Sequence, residues 1–190
     1  MSGGTVRPGD EATNTGNASN TAQKLPVASP TCMELKERMI SDLIGLPVVS
    51  MDGGLKMGTV KDVLIDTDDF KATALLVSGD SGRGGLPFEK VLSFGPDAVM
   101  VETGDVIFWA SAVNPGPGRE SNEIKGLPVV NKSGAMLGNV RDISLCGDHV
   151  HAIEIRAGGV LGIGATDTEI MMRKIRSIGP TLVTVDTPTP

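Results

Sequence analysis

The chain has 190 residues, 39% of them hydrophobic, enough for one ordinary domain or two small ones with packed interiors. A formal net charge of −6 makes a phosphate backbone a poor partner, so nucleic acid is set aside. No apolar run approaches the ~18–20 residues that a membrane-spanning helix needs, and with aromatics at 3% and a single Trp the interior must be built from Val, Ile, Leu and Met.

Residues 1–32 are rich in Gly, Ser, Thr, Asn and Pro and poor in large apolar groups. Such a segment buries too little surface to offset its ordering entropy, so a disordered tail is expected. Its opening, Met1-Ser2-Gly3-Gly4, lacks the charged-then-apolar pattern of a secretory signal. Met33 to Met39 are good helix formers and predict one or two helical turns at the start of a first domain, 33–103. Short Val/Ile runs at period two follow, as in Lys61-Asp62-Val63-Leu64-Ile65, separated by Gly-containing turns. Pro47 and Pro128 cannot donate to a ladder and are expected at a strand start or on an edge. Residues 104–122 contain the apolar Ile107-Phe108-Trp109 and then Asn114-Pro115-Gly116-Pro117-Gly118, and read as a linker to a second domain, 123–187.

The second domain repeats the first. Residues 45–65 read GLPVVSMDGGLKMGTVKDVLI and residues 126–145 read GLPVVNKSGAMLGNVRDISL. The second copy is one residue shorter in the polar turn, where length changes are tolerated. Gly58-x-Val60-x-Asp62 answers to Gly138-x-Val140-x-Asp142, and Lys90-Val91-Leu92-Ser93-Phe94-Gly95-Pro96 to Lys174-Ile175-Arg176-Ser177-Ile178-Gly179-Pro180. One helical turn is expected within each of 88–94 and 171–178. A sheet this small exposes its edges unless it closes, so the expected fold is all-β: two tandem small β-barrels with at most short helical turns.

At these residues the chain resembles the PRC-barrel family. The resemblance rests on Ile44-Gly45-Leu46-Pro47-Val48-Val49, on Gly58-x-Val60-x-Asp62, and on Pro87-Phe88 followed by Val91. The second copy keeps the first two and has Glu169-Ile170 in place of Pro87-Phe88. The family implies a small β-barrel that acts in docking or assembly without catalysis, as in the cytoplasmic part of the photosynthetic reaction-centre H subunit and in a ribosome maturation factor. Other relatives are small prokaryotic proteins. Fold alone does not carry a function over.

Few residues suggest chemistry. Asp62 and Asp142 hold equivalent places in separate repeats and are expected to be structural, each accepting backbone N–H bonds from a neighbouring turn; Gly58 and Gly138, landmarks of the same strand, are also expected to be structural. Cys146, His149 and His151 form a C-x2-H-x-H group that is a weak metal candidate, since no fourth ligand is evident and the first repeat has Lys71 and Thr73 at the histidine positions. The glycine clusters at 79–85 and 158–164 are not followed by a convincing helix and read as turns rather than phosphate loops. Arg173, Lys174 and Arg176 read as a solvated edge. Cys32 and Cys146 do not make a disulfide framework, so a reducing, cytoplasmic compartment is expected.

Ile107, Phe108 and Trp109 are the best contact residues, packing between the barrels or against a partner. No catalytic residue or cofactor is expected. The function anticipated is a non-enzymatic protein–protein docking or assembly module, with a protein partner or self-association. One alternative is a small-ligand or metal-binding protein using the Cys146/His149/His151 region. Another is an accessory subunit peripherally associated with a membrane or electron-transfer complex.

Overall fold

A computed structural model describes residues 36–109, 118–158 and 165–187. The tail expected at 1–32 lies outside the described residues. The chain begins with a short strand β1 (Glu37–Met39) and a single helical turn α1 (Ile40–Leu43). The first repeat then runs β2 (Pro47–Ser50), β3 (Lys56–Asp66), β4 (Lys71–Gly79), β5 (Gly82–Pro87), β6 (Val91–Phe94), β7 (Val99–Val101) and β8 (Phe108–Trp109). A second short strand and helical turn, β9 (Arg119–Glu120) and α2 (Ser121–Ile124), open the other half. Its strands are β10 (Pro128–Asn131), β11 (Met136–Cys146), β12 (His149–Ala157), β13 (Thr166–Met171), β14 (Ile175–Ile178) and β15 (Val183–Val185).

The two halves share one topology. The strand order is β6-β7-β2-β3-β4-β5 in the first and β14-β15-β10-β11-β12-β13 in the second, and both curl around an apolar interior. Pro47 and Pro128 each begin a strand, where their missing N–H costs no ladder bond. The expected helical turns are 3-10 turns at Phe88–Lys90 and Met172–Lys174. β3 and β11 carry irregularities at the same places, between Val60 and Asp62 and between Val140 and Asp142. The shorter second turn has its own fastening. The Asn131 side-chain oxygen accepts the backbone N–H groups of Ser133 and Ala135 at 3.0 and 2.9 Å, an Asx-type closure.

Gly58 on β3 and Gly138 on β11 sit where β4 and β12, respectively, pass close by. A Cβ on Gly58 would lie 2.6 Å from Val77 and 2.7 Å from the Ser78 carbonyl oxygen; one on Gly138, at φ +147°, would lie 2.4 Å from the Arg156 carbonyl oxygen.

Two expectations need correcting. Glu37–Met39 is a strand, because pairing with β11 outweighs a weak intrinsic helix preference. The stretch expected as a linker, 104–122, is structured at both of its described ends, as β8 and as β9 with α2.

Candidate functional site

The most distinctive arrangement joins the repeats. β3 has one edge paired with β4 along most of its length. Its other edge is shared: β2 takes Lys56–Thr59, and β9, from the start of the second half, takes Leu64 and Ile65. The converse holds in the other half, where β10 takes Met136–Asn139 of β11 and β1 takes Ser144–Cys146. Each repeat therefore completes the long strand of the other.

The buried aspartates sit at these crossings. Asp62 is 1% exposed. Its Oδ1 accepts the Val63 N–H at 2.7 Å, the Ser121 N–H at 3.1 Å and the Ser121 hydroxyl, and Oδ2 accepts the Asn122 N–H at 3.4 Å. Ser121 and Asn122 open α2, which has no side-chain cap from its own N-cap residue Glu120. Asp62 thus caps a helical turn of the opposite repeat, satisfying N–H groups that such a turn cannot satisfy itself. Three of the four donors are backbone N–H groups and the fourth is a hydroxyl, and three of the four come from the opposite repeat rather than a neighbouring turn.

Asp142 makes the mirror arrangement, with different partners. It accepts the Ile143 N–H at 2.9 Å, an ion pair from Lys125 at 2.9 Å, and a bond from the side chain of Ser41 in α1. Burial pushes its carboxyl up, but hydrogen bonds from Ser41, Lys125 and Ile143, with the Lys125 charge, outweigh burial and hold it below the usual carboxylate range. Both carboxylates are engaged as acceptors and lie in separate crossings, so they do not form an acid/base pair.

A third junction completes the union. β4 and β12 meet at Lys71 opposite His149, flanked by the Ala72 N–H to the Asp148 carbonyl at 2.7 Å and the Val150 N–H to the Phe70 carbonyl at 2.8 Å. These bonds are reciprocal, and they make one fifteen-stranded sheet among the described residues. The buried apolar residues of both halves form one cluster, in which Ile40, Leu43 and Ile124 of the helical turns are at most 1% exposed. Two exchanged helical turns, two swapped strands and a reciprocal sheet junction amount to a pseudo-twofold clasp.

Against this duplicated topology, a family model for the PRC-barrel domain matches the sequence twice, over residues 36–106 and 118–189. The chain belongs to the PRC-barrel family. No curated protein matches it closely enough to suggest a specific role. PRC-barrel domains are generally non-catalytic, and among the described residues no helix is long and apolar enough to cross a membrane.

The remaining predicted residues divide. Cys146 and His149 face each other across the β11–β12 turn, but Cys146 is disulfide-bonded, contrary to the reduced thiol expected, and its sulfur is no free thiolate ligand. Cys32, the chain's other cysteine, lies outside the described residues. His149 Nδ1 instead contacts Asp148 Oδ1 at 2.7 Å. Among the described residues no three metal-ligating side chains gather into a cation site.

Ile107 and Trp109 pack within the first PRC-barrel repeat. β8 pairs with β5, and Gly79 and Gly84 leave room for the indole: a Cβ on either would come within 3.0 Å of Trp109. The second repeat has Ala157 and Thr168 at those places. Of the three expected contact residues only Phe108 is well exposed, at 52%. The other exposed apolar side chains carry no sequence signal of their own, since their surroundings decide their exposure. Met51 and Leu55 stand on the β2–β3 turn, Met136 at the end of the corresponding β10–β11 turn, and Leu92 on β6.

Proposed function

We propose that this protein is a non-enzymatic docking and assembly module whose two PRC-barrel repeats act as one rigid body. The observation that carries this reading is the clasp. Reciprocal strand and helix exchange fixes the repeats relative to each other and presents two related sets of surface turns in a set geometry, which favours simultaneous engagement of two matching sites on a partner. The exposed apolar turn residues, Met51 and Leu55 in one repeat and Met136 in the other, are the contact points of the proposal. The partner is a protein or a second copy of this chain.

Catalysis has no support in the geometry, because the buried carboxylates are engaged by structural hydrogen bonds and, among the described residues, no nucleophile and base converge on a cavity. The metal-binding alternative loses its sulfur ligand to the disulfide at Cys146.

The test is affinity capture and in-cell cross-linking of the full chain from its native cell. The unaltered protein is expected to retain a defined partner, and the combined variant Met51→Ser, Leu55→Ser, Met136→Ser to lose it. These positions are exposed, so the melting temperature should stay nearly constant. A variant that retains the same partner in undiminished yield would overturn the assignment.

A further inference from the structure

We propose a second, chemically distinct site: a small cleft at one end of the clasp that takes a small carboxylate with an aromatic or short aliphatic body. The cleft, of about 160 Å³, lies where β1 and α1 cross from the first repeat to the second. Its floor is apolar, formed by Phe88, Phe94, Leu43 and Leu145, with the two phenyl rings 5.1 Å apart. Lys36 and Arg38 supply its charge. On a chain with 23 acidic residues against 17 basic ones, no described carboxylate lines this cleft.

Arg38 is held in place. Its Nη2 donates to the Phe94 carbonyl, and its guanidinium carbon lies 5.8 Å from the centre of the Phe94 ring. Neither Arg38 nor Lys36 pairs with a carboxylate among the described residues, so a positioned guanidinium and an ammonium stand beside an apolar floor. Charge-assisted bonds to a carboxylate together with burial of a ring are the interactions such a lining offers.

The pseudo-twofold axis provides an internal comparison. The counterpart of Arg38 is Arg119, which makes the same kind of bond, to the Gly179 carbonyl at 2.6 Å. Arg119 is neutralised by Glu123, with Nε to Oε2 at 3.5 Å, and Met172 and Ile178 replace the two phenylalanines. Among the described residues, the first end alone combines cations that have no carboxylate partner with an aromatic floor.

The experiment is an amide-resolved NMR titration of the full chain with benzoate, benzyl alcohol and inorganic phosphate. Benzoate is expected to give saturable shifts at Leu43, Leu145 and Gly147, with the other two probes at least roughly ten-fold weaker, the factor that one charge-assisted bond contributes. Arg38→Gln and Lys36→Gln are each expected to weaken benzoate several-fold. Arg38 also braces the Phe94 carbonyl, so if Arg38→Gln lowers the melting temperature sharply, Lys36→Gln decides. Absence of saturable shifts at these residues, equal binding of phosphate or of benzyl alcohol, or a Lys36→Gln variant that binds benzoate as well as the original would overturn the site.

Discussion

At the scale of single residues, Asp62 shows what a buried carboxylate does when it is not catalytic. It gathers four donors, three of them from residues 121 and 122 of the opposite repeat. Removing it strands buried N–H groups, so Asp62→Ala is expected to destabilise the whole chain by roughly 1–3 kcal/mol. Ser121→Ala removes one of the same bonds. Chemical denaturation of the two single variants and the double variant should give a coupling energy above about 0.5 kcal/mol, as groups in one network do. Additive effects would place the two residues in separate environments.

Asp142 adds a pH dependence. Its folded carboxyl is held below the ordinary value of 3.8, so its ionised form stabilises the native state at neutral pH, and that contribution is lost as pH falls below 3.8 through the folded value. Asp142→Asn is therefore expected to melt lower than the original at pH 7, and the gap should close in thermal melts taken at pH 3 and below. A gap that persists unchanged in acid would remove the ionised carboxylate as its source.

At the scale of elements, the repeat and its turns were readable from sequence, and the exchanges between repeats were not. Strand starts at Pro47 and Pro128 follow from a missing N–H, and the landmarks Gly58 and Gly138 mark close crossings. These are local constraints, so a local pattern reveals them. β1 and β9 are three and two residues long and owe their form to a partner distant in sequence. Glu37-Arg38-Met39 carries a helix former's composition, and nothing within it announces a strand. Asp62 and Asp142 were legible as buried acceptors because they recur after the same Gly-x-Val-x spacing. The donors that reach Asp62 from the other repeat were not legible, because Ser121 and Asn122 lie 59 and 60 residues away. Trp109 was legible as a large contact group, and its destination was hidden in two glycines of an ordinary-looking turn.

That destination is testable. Gly84→Val would put side-chain atoms against Trp109 and Ile107, whose nearest atoms are already 2.9 and 3.0 Å from an added Cβ. It is expected to dislodge β8, red-shift the emission of the chain's single tryptophan, and cost about 1–3 kcal/mol. An unchanged emission maximum would mean that the indole does not rest on Gly84.

At the scale of the whole molecule, two similar repeats lead to the expectation of two independent folding units. The shared sheet and continuous apolar cluster argue for one. Differential scanning calorimetry is expected to show a single transition whose calorimetric and van't Hoff enthalpies agree, and Asp62→Ala should shift that whole transition rather than split it. Two resolved transitions, one of them unmoved by the substitution, would show that the clasp does not couple the repeats.

The swapped strands also set an order on biosynthesis. As the nascent chain leaves the ribosome, all of the first repeat through Trp109 emerges before Arg119–Ile124, the piece that covers the far half of β3 and caps onto Asp62. During that interval the first half is a molecule with an open strand edge and an uncapped acid. Release from that vulnerable state, the kind chaperones guard, comes only when translation delivers the second helical turn.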